Sequence, residues 1–126
     1  MTYDEAYNEA EKEIQAVLRA KKTDLDLTFL ELSALPKSIS QLRQLKSLYV
    51  SNNRLTELPQ WLGRLDQLQS LILSWNQLAS LTESLGELTL LKSLGISGNE
   101  LKTLPESLGE LTQLQTLDIS NNKLTT

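Results

Sequence analysis

Residues Leu94–Thr116 read LGISGNELKTLPESLGELTQLQT. This stretch decides the fold because the rest of the chain repeats it. The same register begins at Leu25, Leu48, Leu71, Leu94 and Leu117, a period of 23 residues. A fixed period in the low twenties, with leucine at most of the marked positions, is the signature of a solenoid. No unit of this kind buries its own apolar face, so each must stack on its neighbours.

Within the unit, Leu94 and Ile96 alternate with Gly95. That period of two predicts a short strand with Leu94 and Ile96 pointing inward and Gly95 outward. Leu104, Leu108, Leu111 and Leu114 follow at intervals of four, three and three, which is helical spacing. Pro105 suits the first turn of such a segment, where its missing N–H would be unpaired in any case. Each repeat is therefore expected to be a strand on one side and a helical turn or short helix on the other. The wider helical side bends the stack and leaves the strands on the concave face. In this register Leu71, Leu94, Ile96 and Leu108 are expected to be almost fully buried, with Ser70, Ile72, Ser93 and Gly95 on the concave solvent side.

Three successive windows carry a family resemblance: LKSLYVSNNRLTELPQWLGRLDQLQS at 45–70, LQSLILSWNQLASLTESLGELTLLKS at 68–93 and LKSLGISGNELKTLPESLGELTQLQT at 91–116. The pattern resembles the short, 23-residue type of leucine-rich repeat. It is similar to arrays of bacterial intracellular proteins, to the repeat segments of the Roco GTPases and to plant Ras-related repeat proteins. The resemblance implies an α/β leucine-rich repeat solenoid, with a curved parallel β-sheet on the concave face and short helices on the convex face. For function it implies protein recognition without chemistry. Kinship with Roco proteins would extend only to their repeat part.

The chain divides into an N-terminal capping helix over 1–22 and repeats over 23–126, about four full units and a terminal half unit. Thr2 and Glu5 form a capping-box pattern, and Tyr3, Tyr7, Ala10, Ile14, Val17 and Leu18 form an apolar stripe at helical spacing. Acidic residues crowd the first half of the segment, and Arg19, Lys21 and Lys22 close it, an order that complements the helix dipole. It reads as the cover of the first core layer, the alternative being a free amphipathic helix for a partner or a membrane.

The first repeat is degenerate. Leu30 stands where Asn53, Asn76, Asn99 and Asn122 stand later, and Ser40 replaces the glycine of Gly63, Gly86 and Gly109. The asparagine column reads as a structural ladder, each amide pairing with the backbone at the bend after its strand, in preference to a polar binding site. Thr82 occupies the place of Pro36, Pro59 and Pro105, and Gly95 and Gly98 are the two glycines that the repeat leaves unexplained.

Composition excludes much chemistry. The chain of 126 residues has no histidine and no cysteine, which removes imidazole bases, thiol nucleophiles and zinc ligand sets. No phosphate-cradling glycine loop occurs. Asp24 and Asp26 are a suggestive carboxylate pair, but calcium needs about six to eight oxygens, so no metal and no cofactor are expected. A net charge of −4 argues against nucleic acid and anionic membranes as partners. The acidic N-terminus does not read as a signal peptide, and no apolar run is long enough to span a membrane, so a cytoplasmic location is expected.

What remains is the concave surface. One column of exposed positions holds Asp26, Tyr49, Ile72, Gly95 and Asp118, and a second at the strand exits holds Phe29, Asn52, Trp75, Gly98 and Asn121. Tyr49, Ile72 and Trp75 form a central strip with Phe29 at its edge, and Gly95 and Gly98 beside them are expected to leave empty space. Aromatics next to a void suit an anchor site for an unknown protein or peptide. The competing reading has Tyr49 and Trp75 lying flat across neighbouring repeats. On the convex side Trp61 and Leu90 read as lone exposed apolar residues.

Residues 117–126 hold the strand half of a fifth unit, so Leu111, Leu114, Leu117, Ile119 and Leu124 are expected to form a core layer without a cover. Leu117, Ile119 and Leu124 are therefore candidates for self-association as a homodimer, the alternative being a segment cut from a longer array.

Overall fold

A computed structural model describes residues 2–125, so Met1 and Thr126, the outer ends of the two expected segments, lie outside it. The elements are helix α1 (Tyr3–Ala20) and strands β1 (Asp24–Asp26), β2 (Ser47–Tyr49), β3 (Ser70–Ile72), β4 (Ser93–Gly95) and β5 (Thr116–Asp118). Four 3-10 helices, Lys37–Gln41, Gln60–Arg64, Glu83–Glu87 and Glu106–Glu110, lie between successive strands. The strands form one parallel sheet in the order β1-β2-β3-β4-β5.

The 23-residue period becomes the pairing register. Leu25 pairs with Leu48, Leu48 with Leu71, Leu71 with Leu94, and Leu94 with Leu117. Equal repeats put equivalent residues side by side, so each inward column is a stack of leucines. Leu71, Leu94 and Ile96 are buried as the alternation requires. The core runs the length of the molecule between the strands and the convex elements.

The convex segments are 3-10 and not α-helical. Leu108, Leu111 and Leu114 recur every three residues, which matches three residues per turn, and the backbone closes bonds of that period, from Leu111 N to Leu108 O at 3.1 Å and from Leu114 N to Leu111 O at 3.2 Å. Pro105 is not in the first turn: it precedes the helix with extended backbone, φ −68° and ψ 143°, and its carbonyl accepts the Leu108 amide at 3.2 Å. Thr82 in the same place uses its hydroxyl to accept the Ser84 amide at 3.3 Å. Leu108 is half-buried, unlike the fully buried Leu62 and Leu85 of the preceding units. Those two are covered by the convex turn of the next repeat, and among the described residues no further convex turn follows that of Leu108. Trp61 and Leu90 are half-buried, and Trp61 packs on the core where open exposure was expected.

The asparagines form the ladder that their spacing suggests. Asn76 donates from Nδ2 to Leu73 O and Val50 O, both at 3.0 Å, and accepts the Leu55 amide on Oδ1 at 3.0 Å. Asn53, Asn99 and Asn122 repeat the pattern, each tying its own bend to the unit before it. That reach across repeats satisfies polar backbone groups beside the core, where an unmade bond is costly. Leu30, in the first place of the column, is half-buried, and its amide is taken by Asn53 Oδ1 at 3.1 Å.

Helix α1 packs against β1 and the first 3-10 helix. Thr2 caps its start by accepting the Glu5 amide at 3.2 Å, and Lys21 ends it in the left-handed region. Ser38 donates to Glu11 Oε1 at 2.5 Å across the junction. The buried line is Ala6, Ala10, Ile14 and Val17, which corrects the expected stripe: Tyr3 is 62% exposed, Tyr7 is exposed, and the two rings stack at 6.4 Å between centroids. Small Ala6 and Ala10 let the helix sit close to the sheet, and the tyrosines fall on its outer flank.

Candidate functional site

The concave face is the broad surface of the sheet, and the candidate residues lie there in two columns. Strand register places Asp26, Tyr49, Ile72, Gly95 and Asp118 side by side across β1 to β5. Phe29, Asn52, Trp75 and Gly98 follow three residues on, with Asn121 last in that column. All five of these exit residues have positive φ, from 55° to 67°. Their geometry is imposed from both sides. The amides of Phe29, Asn52, Trp75 and Gly98 bond to Ser51 O, Ser74 O, Ser97 O and Ser120 O in the next unit. The asparagine ladder holds the bend that follows.

This column accounts for Gly98, which the sequence left unexplained: glycine adopts positive φ at no steric cost. Asn52 and Asn121 tolerate it as well. Phe29 and Trp75 do not belong to the types that do, and both stand in the solvent, 70% and 53% exposed. Bulky residues held in strained backbone at the rim of a surface are an outlier of the kind that accompanies function.

The expected void beside the aromatics is largely absent. A Cβ at Gly98 would lie 2.3 Å from Trp75 Cε3 and 2.4 Å from Cδ2, so the indole occupies the place that a side chain at residue 98 would take. A Cβ at Gly95 would lie 3.2 Å from Ile72 Cδ1, and Gly95 is buried where exposure was expected. The glycines seat the large side chains of the preceding repeat and do not leave both places empty. Trp75 thus both packs against its neighbour and remains 53% exposed. Tyr49 and Ile72 are half-buried.

Part of the space survives further along. A depression of about 260 Å³ opens over Gly95, walled by Ile72, Ser74, Thr116 and Asp118. Asp118 Oδ1 accepts the Ser120 hydroxyl at 2.7 Å and the Ser120 amide at 3.1 Å. These bonds, the hydroxyl first, hold its carboxyl below the usual range, against a small opposing effect of burial. Asp26 is tied in the same way to Thr28, through the amide at 2.9 Å and through the hydroxyl. A larger depression of about 440 Å³ on the convex side, between Gln60, Trp61, Arg64, Glu83 and Glu87, is a gap between solvated polar side chains with only Trp61 as apolar wall.

Leu117, Ile119 and Leu124 are not part of the concave columns. Leu117 is 42% exposed on β5, while Ile119 and Leu124 are half-buried and pack on the core.

The repeat geometry has counterparts of known family. Residues 23–78 match the family described as "Leucine rich repeat", and residues 89–126 match "Leucine Rich repeats (2 copies)". The chain is a leucine-rich repeat protein. A leucine-rich repeat domain of a Shigella effector superposes on the whole of it, with a TM-score of 0.84 at 30% identity, and 52% of that chain is covered. A leucine-rich repeat protein of Leptospira interrogans covers 90% of it, with a TM-score of 0.73 at 33% identity, and 34% of that chain is matched. This leucine-rich repeat chain therefore spans about half the length of one and about a third of the other. No curated protein matches the sequence. Leucine-rich repeat domains are in general protein-interaction modules. No helix among the described residues of this one is long and apolar enough to cross a membrane.

What the sequence reading missed is the left-handed column. Its signal was present: Asn52, Gly98 and Asn121 are all types that accept positive φ, at one register position. Phe29 and Trp75 at the same position masked it.

Proposed function

We propose that this leucine-rich repeat chain binds a protein or peptide on its concave face, with Trp75 as the anchor, Tyr49 and Ile72 beside it, and Phe29 at the rim. The observation that carries this reading is the state of Trp75. Its ring is seated on Gly98, its backbone is strained at φ 60°, and it is nevertheless 53% exposed. A large aromatic already packed against the next repeat has less rotamer freedom to lose on association than a free one, which favours it as a binding anchor. Asn52, Gly95, Gly98 and Asp118 shape the surface around it.

The test is selection of binders from a phage-displayed random dodecapeptide library on the folded wild-type chain. Captured peptides should lose about 2 kcal/mol or more of affinity on Trp75→Ala. Glu106→Ala, on the convex side, should leave them unchanged. Peptides that bind the Tyr49→Ala/Trp75→Ala protein as well as the wild type would refute the concave reading.

A second reading, self-association across β5, rests on the exposure of Leu117. Sedimentation of wild type beside Leu117→Lys tests it, and a wild type that stays monomeric at high micromolar concentration removes it.

A further inference from the structure

The concave face is charged in one sense only. Asp24, Asp26 and Asp118 stand on its strands, and none of the concave strand or strand-exit positions carries lysine or arginine. Lys46 and Lys92 precede the strands. Between the acidic ends the surface is uncharged, apolar or hydroxyl-bearing apart from the Asn52 amide. At the β5 end the two characters meet in one depression, with Ile72 on β3 as its apolar wall, Gly95 on β4 as its floor and Asp118 on β5 as its far wall.

The dimensions of that depression specify an occupant. Ile72 and Asp118 are two strands apart, about 10 Å at the ordinary strand spacing. Gly95 has no side chain to fill the space between them, and Ile72 leans over it from one side only. Asp118 commits Oδ1 to Ser120, and no hydrogen bond or ion pair engages its Oδ2 among the described residues. The Ser120 bonds fix the carboxylate in place and keep it ionised.

The geometry points to a site for one basic side chain of the bound partner, lysine or arginine, lying across Gly95 with its aliphatic stem on Ile72 and its charged head on Asp118. The fit is that of an amphipathic side chain, whose stem covers apolar surface while its cation stays at the wet end. The Thr116 hydroxyl on β5, two residues before Asp118, offers an acceptor to the remaining N–H groups, while the Ser74 hydroxyl, which accepts from Ser97 Oγ at 3.0 Å, walls the Ile72 side. The inference rests on the concave reading and adds the chemistry of the partner: a basic residue next to an apolar or aromatic one, the latter meeting Trp75. Asp26, fixed to Thr28 as Asp118 is to Ser120, offers a carboxylate of the same kind at the β1 end.

The same dodecapeptide selection separates the two claims. Selected peptides should be enriched in lysine or arginine adjacent to apolar residues. Replacing that lysine by norleucine, which keeps the stem and removes the charge, should weaken binding about fivefold, the upper range for an exposed ion pair. Asp118→Asn, nearly isosteric and on the surface, should cause the same loss, and the two losses should not add. Both should shrink as salt is raised, because exposed charges are screened. Gly95→Lys places a tethered lysine beside Asp118 in the strand register, so it should block the site by occupying it. Circular dichroism and urea unfolding establish that the variants are folded. Peptides that require Trp75 but are indifferent to Asp118 and to norleucine would overturn the basic-residue site and leave the concave reading standing. Peptides indifferent to both Trp75 and Asp118, or a selection that yields no binder, would overturn both.

Discussion

Trp75 rests on Gly98: the indole atoms Cε3 and Cδ2 lie where a side chain at residue 98 would begin, 2.3 and 2.4 Å from an ideal Cβ. The two residues occupy the same position in adjacent repeats, and both have positive φ, 60° and 67°. One repeat therefore gives up a side chain so that the preceding repeat can seat a large one. The pair seats the exposed aromatic.

Gly98→Ala tests that relationship. It introduces a Cβ into the ring's place and puts alanine in the left-handed region, which costs about 1–2 kcal/mol in backbone strain alone. Urea unfolding should show a loss of at least that size, and Trp75 fluorescence should shift as the ring is displaced. Gly98→Asn tolerates the backbone better, as Asn52 and Asn121 show, but should still displace the ring. An alanine variant with unchanged stability and emission would contradict the packing.

The asparagine ladder predicts unequal costs along one column. Asn76→Ala leaves the buried Leu55 amide without its side-chain partner and removes one of two amide donors from each of the Val50 and Leu73 carbonyls, which keep Asn53 and Asn99. Leaving one such buried group unmade costs about 1–3 kcal/mol. Asn122 makes equivalent bonds but is half-buried, so water replaces the lost partner and Asn122→Ala should cost clearly less. Equal losses in urea would mean that the ladder acts through something other than desolvation.

A second column separates in the same way. Ideal Cβ atoms at Gly63 and Gly86 fall 2.6 Å from Ser84 O and 2.7 Å from Ser107 Cβ, while one at Gly109 meets nothing within 4 Å. Gly63→Ala and Gly86→Ala must push neighbouring convex turns apart and should destabilise by about 1–3 kcal/mol, as overpacking does. Gly109→Ala should be neutral or slightly stabilising, since it lowers the entropy of the unfolded chain. Thermal melts of the three variants decide the matter, and a Gly109→Ala loss as large as the others would exclude close approach as the cause.

Asp118 gives a prediction in pH. Its carboxyl titrates below the usual range because the Ser120 hydroxyl, and then the Ser120 amide, bond the charged form. A carboxyl depressed in the folded state adds stability that is complete above the unfolded value, about pH 3.9, and fades as pH falls through the folded value. NMR titration should place the Asp118 midpoint below an ordinary aspartate, and Ser120→Ala should move it up toward the ordinary value. A midpoint that ignores Ser120→Ala would rule out the hydroxyl as the principal cause.

The sequence by itself determined the register. A constant period of 23 residues leaves each residue one possible neighbour in the next unit, its own equivalent, so Leu71 meets Leu94 and Ile72 meets Gly95 without further information. Alternation then settled which of them face the core, and the fixed place of Asn53, Asn76, Asn99 and Asn122 marked the ladder. The concave columns were legible for the same reason.

Only the tertiary structure decided how the side chains share that surface. A period says which residues are adjacent but not where a large side chain leans, because that depends on the volume its neighbour leaves. Ile72 over Gly95 and Trp75 over Gly98 closed most of the space that two glycines promise in sequence, and what stayed open was the part bounded by Asp118. Helical spacing likewise put Tyr3 and Tyr7 in line with Ile14, but the distance between helix and sheet is set by Ala6 and Ala10, and the rings fall outside it. Leu62, Leu85 and Leu108 are equivalent in register, and Leu108 is less buried because burial depends on what lies on its far side. Pattern within a chain carries adjacency; depth and orientation come from packing between its parts.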